Sequence, residues 1–220
     1  MNSSLSSTRS ASSHRLRQNL RLTLLHRIVA GELEAGKPVN ESQLAAQLKV
    51  SRTPVREALL QLEREGFIRS DERRGFSIEH LSAREVREIY PMIWTLEGLA
   101  LRSSAVYAFL LVPELARTNS QFAKARDPAR ALALDTQWHE RLISRSQNRR
   151  LLETISALRL AIRRYETIYM CDTTLIPESV SQHSAILHAL KERDIEAAVK
   201  SLENNWRFAM EVLIRKMGEE

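Results

Sequence analysis

With 220 residues, 43% hydrophobic and 27% charged, the chain has the composition of a soluble globular protein of one large or two small domains, which excludes wholesale disorder. Its net charge of +6 fits a polyanionic partner, and the excess is concentrated toward the start: residues 1–80 hold thirteen Lys and Arg against nine Asp and Glu, whereas residues 81–220 hold twenty against eighteen. No run approaches the roughly 18 uninterrupted apolar residues of a membrane span, and the single cysteine, Cys171, excludes an internal disulfide, so no membrane association and a cytoplasmic location are expected.

Residues 1–13 are mostly serine, lack the apolar run of a signal peptide and are expected to form a disordered tail. From residue 13, Leu16, Leu20, Leu24 and Ile28 recur every four positions, the stripe of an amphipathic helix that stops near Gly31. After the turn-rich Glu34-Ala35-Gly36-Lys37-Pro38, a short helix over residues 41–48 buries Leu44 and Leu48. The turn Lys49-Val50-Ser51 leads into a third helix over residues 52–65, with Ser51 as N-cap, Pro54 in the first turn and Gly66 as its stop. Phe67-Ile68-Arg69 and Phe76-Ser77-Ile78 then read as two strands around the polar turn at residues 71–75. Helices followed by a hairpin in this order predict a winged helix-turn-helix over residues 14–80.

Beyond residue 80 only helical stripes appear, among them Leu151, Ile155, Leu158, Ile162 and Tyr165, and then Ile195, Val199, Leu202, Trp206, Met210 and Leu213. Breaks at Pro113, Asp127-Pro128, Gln147-Asn148, residues 173–177 and Arg193-Asp194 divide residues 81–220 into about six helices, several with Asp or Asn as cap. The fold class is therefore mainly α: a winged helix-turn-helix followed by an antiparallel all-α bundle. Pro91 falls inside the helix drawn over residues 83–107, which should kink there or begin later.

Arg52, Thr53 and Arg56 share one face of the third helix, opposite Val55, Leu59 and Leu62, which must pack inward. That is the layout of a recognition helix, whose N-terminal turn enters the major groove of double-stranded DNA; an arginine fork on guanine O6 and N7 is worth roughly 1–3 kcal/mol of discrimination. Arg73 and Arg74 at the hairpin tip can follow the backbone into the minor groove, with Gly75 allowing close approach. Either arginine alone reads equally as a solvated residue paired with Glu57 or Glu63. The ordered series of helix, turn, capped basic helix and Gly-tipped hairpin favours DNA.

These segments also carry a resemblance. Ile28-Val29-Ala30-Gly31-Glu32-Leu33, Leu44-Ala45, the run Val50-Ser51-Arg52-Thr53-Pro54-Val55-Arg56-Glu57-Ala58-Leu59, and Arg74-Gly75 resemble the N-terminal domain of GntR-type bacterial regulators. Departures are mild: Ala35 stands where a Pro is usual, and Lys49 where a Gly is usual. The resemblance implies DNA-contact roles for Ser42, Arg52, Thr53, Arg56 and Gly75.

In the second half, Asp135 and His139 are four apart on one helix and can present a carboxylate and an imidazole to one point inside the bundle. His183 on a later helix supplies a third metal ligand and Asn205 on the last helix a fourth. Asp135-Thr136-Gln137-Trp138-His139, Asn148 with Leu151, His183 with Ile186, and Asp194 with Ala197-Ala198 resemble the helical FCD effector domain of the FadR-type GntR subgroup. That resemblance implies a divalent metal held by one Asp and three His, and a small carboxylate effector beside it. Two departures matter. Asn205 stands where the last His is expected, a poorer ligand for zinc or nickel that makes manganese relatively more favourable. Ile93 stands where an effector-facing Arg is frequent. Trp94, Trp138 and Trp206 read as core at helical spacing, and Arg163-Arg164 as a solvated pair.

An enzyme is the rival class, but the zinc-protease pattern begun by His139-Glu140 would need a His where Ile143 stands, and no phosphate loop or nucleophile elbow appears, so catalysis is not expected. A further alternative is a DNA-binding protein whose bundle only dimerises, with Asp135 and His139 as buried polar residues. The reading that joins all features is a homodimeric transcriptional regulator, a repressor of a two-fold-related operator, whose affinity a small-molecule effector lowers.

Overall fold

Between residues 4 and 29 no Gly or Pro interrupts the chain, and the first helix, α1 (Ser4–Val29), begins inside the segment expected as a tail. Once a helix is nucleated, extending it through Ser and Ala costs little per residue, so its boundary runs upstream of the apolar stripe. The computed structural model describes residues 4–29, 32–71 and 75–218, apart from the side chains of residues 4–15 and 29. Leu20, Leu24, Leu25 and Ile28 are buried, but Leu16, the first member of the expected stripe, is 42% exposed.

The chain divides into two compact units, Met1–Leu81 and Ser82–Glu220. In the first, the Asn40 side chain accepts the Gln43 N–H at 3.0 Å and starts α2 (Glu41–Leu48); Lys49, at φ 56°, takes the left-handed conformation that ends it. Helix α3 (Arg52–Arg64) follows. Ser51 occupies its N-cap position with extended backbone but makes no side-chain cap bond, so the start of this helix depends on the apolar face. That face is complete: Val55, Ala58, Leu59 and Leu62 are at most 1% exposed. Arg21 of α1 binds Glu65 just past α3 in a bidentate pair of 2.7 Å contacts that clamps the two helices together.

Strands β1 (Ile68–Asp71) and β2 (Gly75–Ile78) pair antiparallel, Ile68 opposite Ile78 and Asp71 opposite Gly75. Both lie slightly closer to the turn than the sequence pattern predicts, because Phe67 is fully buried as an anchor before the strand rather than as part of it. The stretch before α2 joins the hairpin edge, Val39 N–H donating to Phe76 O at 2.7 Å and Gly36 N–H to Ile78 O at 2.8 Å. Gly75, at φ +73°, holds a conformation that L side chains resist.

The second unit contains α4 (Ala83–Ser103), α5 (Ala105–Ala108), α6 (Val112–Phe122), α7 (Pro128–Ile143), α8 (Arg149–Cys171), α9 (Ile176–Lys191) and α10 (Ile195–Lys216), with single 3-10 turns before α6 and α9. Its caps explain its boundaries: Ser82, Asp127, Asn148 and Asp194 each accept the N–H three residues on, worth about 1 kcal/mol apiece. Helix α4 starts where drawn and runs through Pro91, which costs one internal bond; it ends at Ser104, whose hydroxyl donates to Ala100 O at 2.9 Å, rather than continuing to Tyr107. The long helices close into a ring in which α4 packs on α10, α10 on α9, α9 on α6, α6 on α7, α7 on α8 and α8 back on α4. Gly98 lets α4 and α10 approach, since a Cβ there would lie 3.0 Å from Val199 Cγ1. Among the described residues no single helix is long and apolar enough to cross a membrane.

Candidate functional site

Burying the apolar face of α3 turns Arg52, Thr53 and Arg56 outward; all are exposed, as are Ser42 on α2 and Gly75 on β2. Arg56 reaches Glu41 Oε1 at 3.1 Å and lies 5.9 Å over the Phe76 ring, while Glu57 lies 3.5 Å from Arg17 and Glu63 accepts the Ser70 N–H at 3.0 Å. The partners that sequence spacing offered Arg52 and Arg56, Glu57 and Glu63, are thus engaged elsewhere. Arg56, its side chain 62% exposed and held by the single carboxylate of the largely covered Glu41, keeps its remaining guanidinium N–H groups available to an external anion. Arg73 and Arg74 lie outside the described residues.

The helical ring encloses a second constellation. Asp135, His139 and His183 bring one ligand atom each to within 4.8 Å of one another, all buried. His183 stacks face to face on Trp138 at 3.8 Å, and its Nε2 lies 3.5 Å from Asp135 Oδ1. The hydrogen bonds assign its tautomer. Asn119 donates its amide to Val180 O and Ser184 Oγ, so its Oδ1 accepts His183 Nδ1–H at 3.1 Å and leaves Nε2 with a lone pair. That Nε2 is buried without a hydrogen-bond partner. His139 is arranged likewise, with Nδ1 3.1 Å from Glu97 Oε2, so that Nε2 is the atom it has left to offer.

Glu97, completely buried on α4, organises the surroundings: its Oε2 also accepts Trp206 Nε1–H at 2.8 Å, and its Oε1 lies 3.4 Å from Arg159 Nη1. Arg159 in turn donates to Glu166 Oε1 at 3.1 Å and lies 5.3 Å over the Trp206 ring. Burial opposes ionisation of Glu97, but His139, Arg159 and Trp206 together outweigh it and hold this carboxyl below its ordinary pKa. Burial raises Asp135 and Glu166, against the pull of nearby cations. Burial, reinforced by His139 and Arg159, drives His183 well below its ordinary value and keeps it neutral, the form that coordinates a metal. Every long helix of the ring contributes: Glu97 from α4, Asn119 from α6, Asp135 and His139 from α7, Arg159 and Glu166 from α8, His183 from α9, and Asn205 and Trp206 from α10.

Asn205 lines the same small cavity as Asp135 and His139, and its amide donates to Gln182 Oε1 at 2.9 Å, leaving its carbonyl oxygen to face another partner. Ile93 is fully buried in the core, and the guanidinium that reaches the buried carboxylates Glu97 and Glu166 is that of Arg159 on α8, which does not line the cavity itself. Trp206 lines the cavity as well as belonging to the core, Trp138 is a core residue stacked on His183, and Trp94 is covered by Arg207 at 4.7 Å. Arg164 is not a solvated residue: it bonds Glu85 and Tyr165 between α8 and α4. Sequence reasoning missed Glu97, Asn119, Arg159 and Glu166. The one available signal was a charged residue inside an otherwise apolar helical face, as at Glu97 in Trp94-Thr95-Leu96-Glu97-Gly98-Leu99.

Known proteins bear on both halves. The family described as bacterial regulatory proteins, gntR family, matches residues 16–78, and the FCD domain matches residues 88–207. The HTH-type transcriptional regulator YdhC of Bacillus subtilis, itself uncharacterised, is 32% identical over 78% of this chain and 79% of its own length. The gluconate operon transcriptional repressor of Bacillus licheniformis is 27% identical over 82% of this chain and 77% of its own. The solved structure of E. coli McbR/YncC has the same fold, with a TM-score of 0.59 and 23% identity over 91% of this chain and 97% of that one. These relatives are regulators rather than enzymes, and the chain belongs to the GntR family of bacterial regulatory proteins, as a transcriptional regulator that joins a winged helix-turn-helix to an FCD domain.

Proposed function

We propose that the protein is a cytoplasmic, homodimeric repressor that binds a two-fold-related operator in double-stranded DNA and is released by a small carboxylate effector. The observation that carries the reading is the polarity of α3, with Val55, Leu59 and Leu62 at 0% exposure on one side and Arg52, Thr53 and Arg56 in the open on the other. Arg52 and Arg56 read base edges in the major groove, Ser42 and Thr53 contact phosphate, and Gly75 lets the hairpin approach the neighbouring minor groove with Arg73 and Arg74. A second copy doubles the contact and matches a palindromic site.

In the FCD half, Asp135, His139 and His183 would hold a divalent metal, with the Asn205 carbonyl as a fourth ligand; zinc, nickel and manganese are the candidates. The fit rests on the orphaned Nε2 of His183, a lone pair facing the Asp135 carboxyl at 3.5 Å, a repulsive pairing that either a cation or a proton between them relieves. Such an ion would offer an open coordination position to an acid group. The chain's own residues hold the two imidazoles in one tautomer and exclude water from them. Effector binding then favours the protein conformation with lower DNA affinity.

Selection of fragments from host genomic DNA by the purified protein, followed by elemental analysis of the same preparation, tests this. Enrichment of a shared palindrome and about one metal per chain are expected. Binding without sequence preference would overturn the operator reading. A metal-free protein whose stability zinc, nickel and manganese leave unchanged would reduce the cluster to buried polar packing.

A further inference from the structure

Among the described residues the left-handed backbone region holds four glycines, Gly36, Gly66, Gly75 and Gly218, and two residues with side chains, Lys49 at φ 56° and Arg193 at φ 59°. Both exceptions end a helix in the same way. At the close of α2 the Lys49 N–H reaches Ala46 O at 3.2 Å and the Val50 N–H reaches Ala45 O at 3.0 Å. At the close of α9 the Arg193 N–H reaches Leu190 O at 3.1 Å and the Asp194 N–H reaches Ala189 O at 2.9 Å. Glycine fills such a position without strain, whereas the Cβ of any other L residue crowds the carbonyl that follows it.

Arg193 uses its side chain within the fold, its guanidinium lying 4.6 Å over the Phe109 ring. Lys49 does not. It is exposed, and its ammonium makes no ion pair or hydrogen bond among the described residues. The helix ends on either side do not hold it either: α2 closes at Lys49 and α3 opens at Arg52, so a negative and a positive helix end flank the ammonium and their effects oppose. A strained position therefore carries a cation for which the free protein has no partner.

That cation stands beside the DNA-reading surface. Lys49 precedes Arg52 by three positions, at most about 11 Å of chain, and the Arg56 bond to Glu41 ties the start of α2 to the same end of α3. A helix tip in the major groove has sugar–phosphate backbone on both sides, so a cation just outside the tip meets phosphate rather than base edges. We propose that Lys49 is a further DNA-binding residue whose ammonium contacts a phosphate beside the groove that α3 enters, and that the affinity gained there offsets the strain it imposes on the free protein. This deepens the DNA reading of α3 and rests on it.

The test uses the full chain and two variants at this position: Lys49→Gln keeps the strained backbone and removes the charge, and Lys49→Gly removes both. Each is expected to bind the selected operator and a scrambled duplex of the same length roughly three- to tenfold more weakly at about 0.1 M salt, with the ratio between the duplexes unchanged. The slope of log affinity against log salt should shrink by about 0.9, one phosphate contact fewer. Amide hydrogen exchange of the DNA-free protein separates strain from charge. In Lys49→Gly it should slow roughly two- to fivefold across α2 and α3, the relieved strain being partly offset by the freedom of glycine in the unfolded chain, and in Lys49→Gln it should match the parent. Parent-like affinity and salt slope in either variant would overturn the inference, as would a loss confined to the operator. Faster exchange in Lys49→Gly would overturn it too, by making Lys49 a structural cap. A parent with no preference between the duplexes defeats the operator reading instead, and the salt slope on the scrambled duplex still judges Lys49.

Discussion

Replacing Glu97 probes the FCD half most sharply, because three buried donors converge on one carboxylate. In Glu97→Ala, His139 Nδ1–H and Trp206 Nε1–H lose their acceptor and Arg159 loses one of two counter-ions, keeping Glu166. Breaking a buried charge pair typically costs 3–5 kcal/mol, and each orphaned neutral donor about 1–3 kcal/mol; partial collapse of the site keeps such losses from adding. A loss of roughly 3–5 kcal/mol is expected. Glu97→Gln retains an oxygen for His139 and Trp206 but sets an amide N–H₂ against the Arg159 guanidinium, donor facing donor, so it loses the charge pair and that hydrogen bond while keeping the other two, a smaller loss of roughly 1–3 kcal/mol. All three tryptophans, Trp94, Trp138 and Trp206, lie in the unit Ser82–Glu220, so urea unfolding followed by tryptophan fluorescence reports on that unit. The alanine variant should also bind zinc about 10–100-fold more weakly, since nothing then holds His139 in the coordinating tautomer. An alanine variant within about 0.5 kcal/mol of the parent would refute the network as described.

Three further outcomes follow from the structure. Arg21→Ala leaves Glu65, at 14% exposure, without its bidentate partner; a loss of roughly 2–4 kcal/mol is expected, read as faster hydrogen exchange in α1 and α3, while an Arg21→Met/Glu65→Leu pair should restore most of it. Gly75→Ala meets no atom within 4 Å of the new Cβ, so its cost is backbone strain alone, roughly 1–2 kcal/mol, and a neutral result would mean that the turn relaxes out of the left-handed region. Asp172, paired with Lys216 at 2.8 Å and hydrogen-bonded by Thr174, titrates below its ordinary range chiefly because of those bonds. A depressed carboxylate contributes stability that is complete at neutral pH and lost as pH falls from about 4, the ordinary value, down through the lowered folded-state value; Asp172→Asn should remove that portion of the acid sensitivity, which solvent screening limits to less than about 1 kcal/mol.

Much of the fold was legible because it depends on local chemistry. The caps Asp127, Asn148 and Asp194 and the four-residue apolar stripes mark helix boundaries without reference to anything distant. Leu16 shows where that reasoning ends: a stripe states which residues share a face, not how far along the helix a neighbour extends to cover it. Asp135 and His139 were legible through helical spacing, and His183 and Asn205 through resemblance. Glu97, Asn119 and Arg159 were not, because each acts across 60 or so positions of chain, as in the 62-residue separation of Arg159 from Glu97, and Glu166, only seven positions from Arg159, takes its place in the site through that same residue. Closure of the ring of helices brings them together, and no short-range pattern encodes which polar residue on each helix faces inward.

The central claim is that the exposed basic tip of α3 reads base pairs. The most direct measurement is the ratio of affinities for the selected operator and for scrambled duplex at one fixed salt concentration, in the parent and in Arg52→Ala. If Arg52 forks onto a guanine, the variant should lose roughly 1–3 kcal/mol of that discrimination, about 5- to 150-fold, and lose it at one base position in each half-site. A variant that weakens binding equally to both duplexes and leaves the ratio unchanged would make Arg52 a phosphate contact and contradict the assignment.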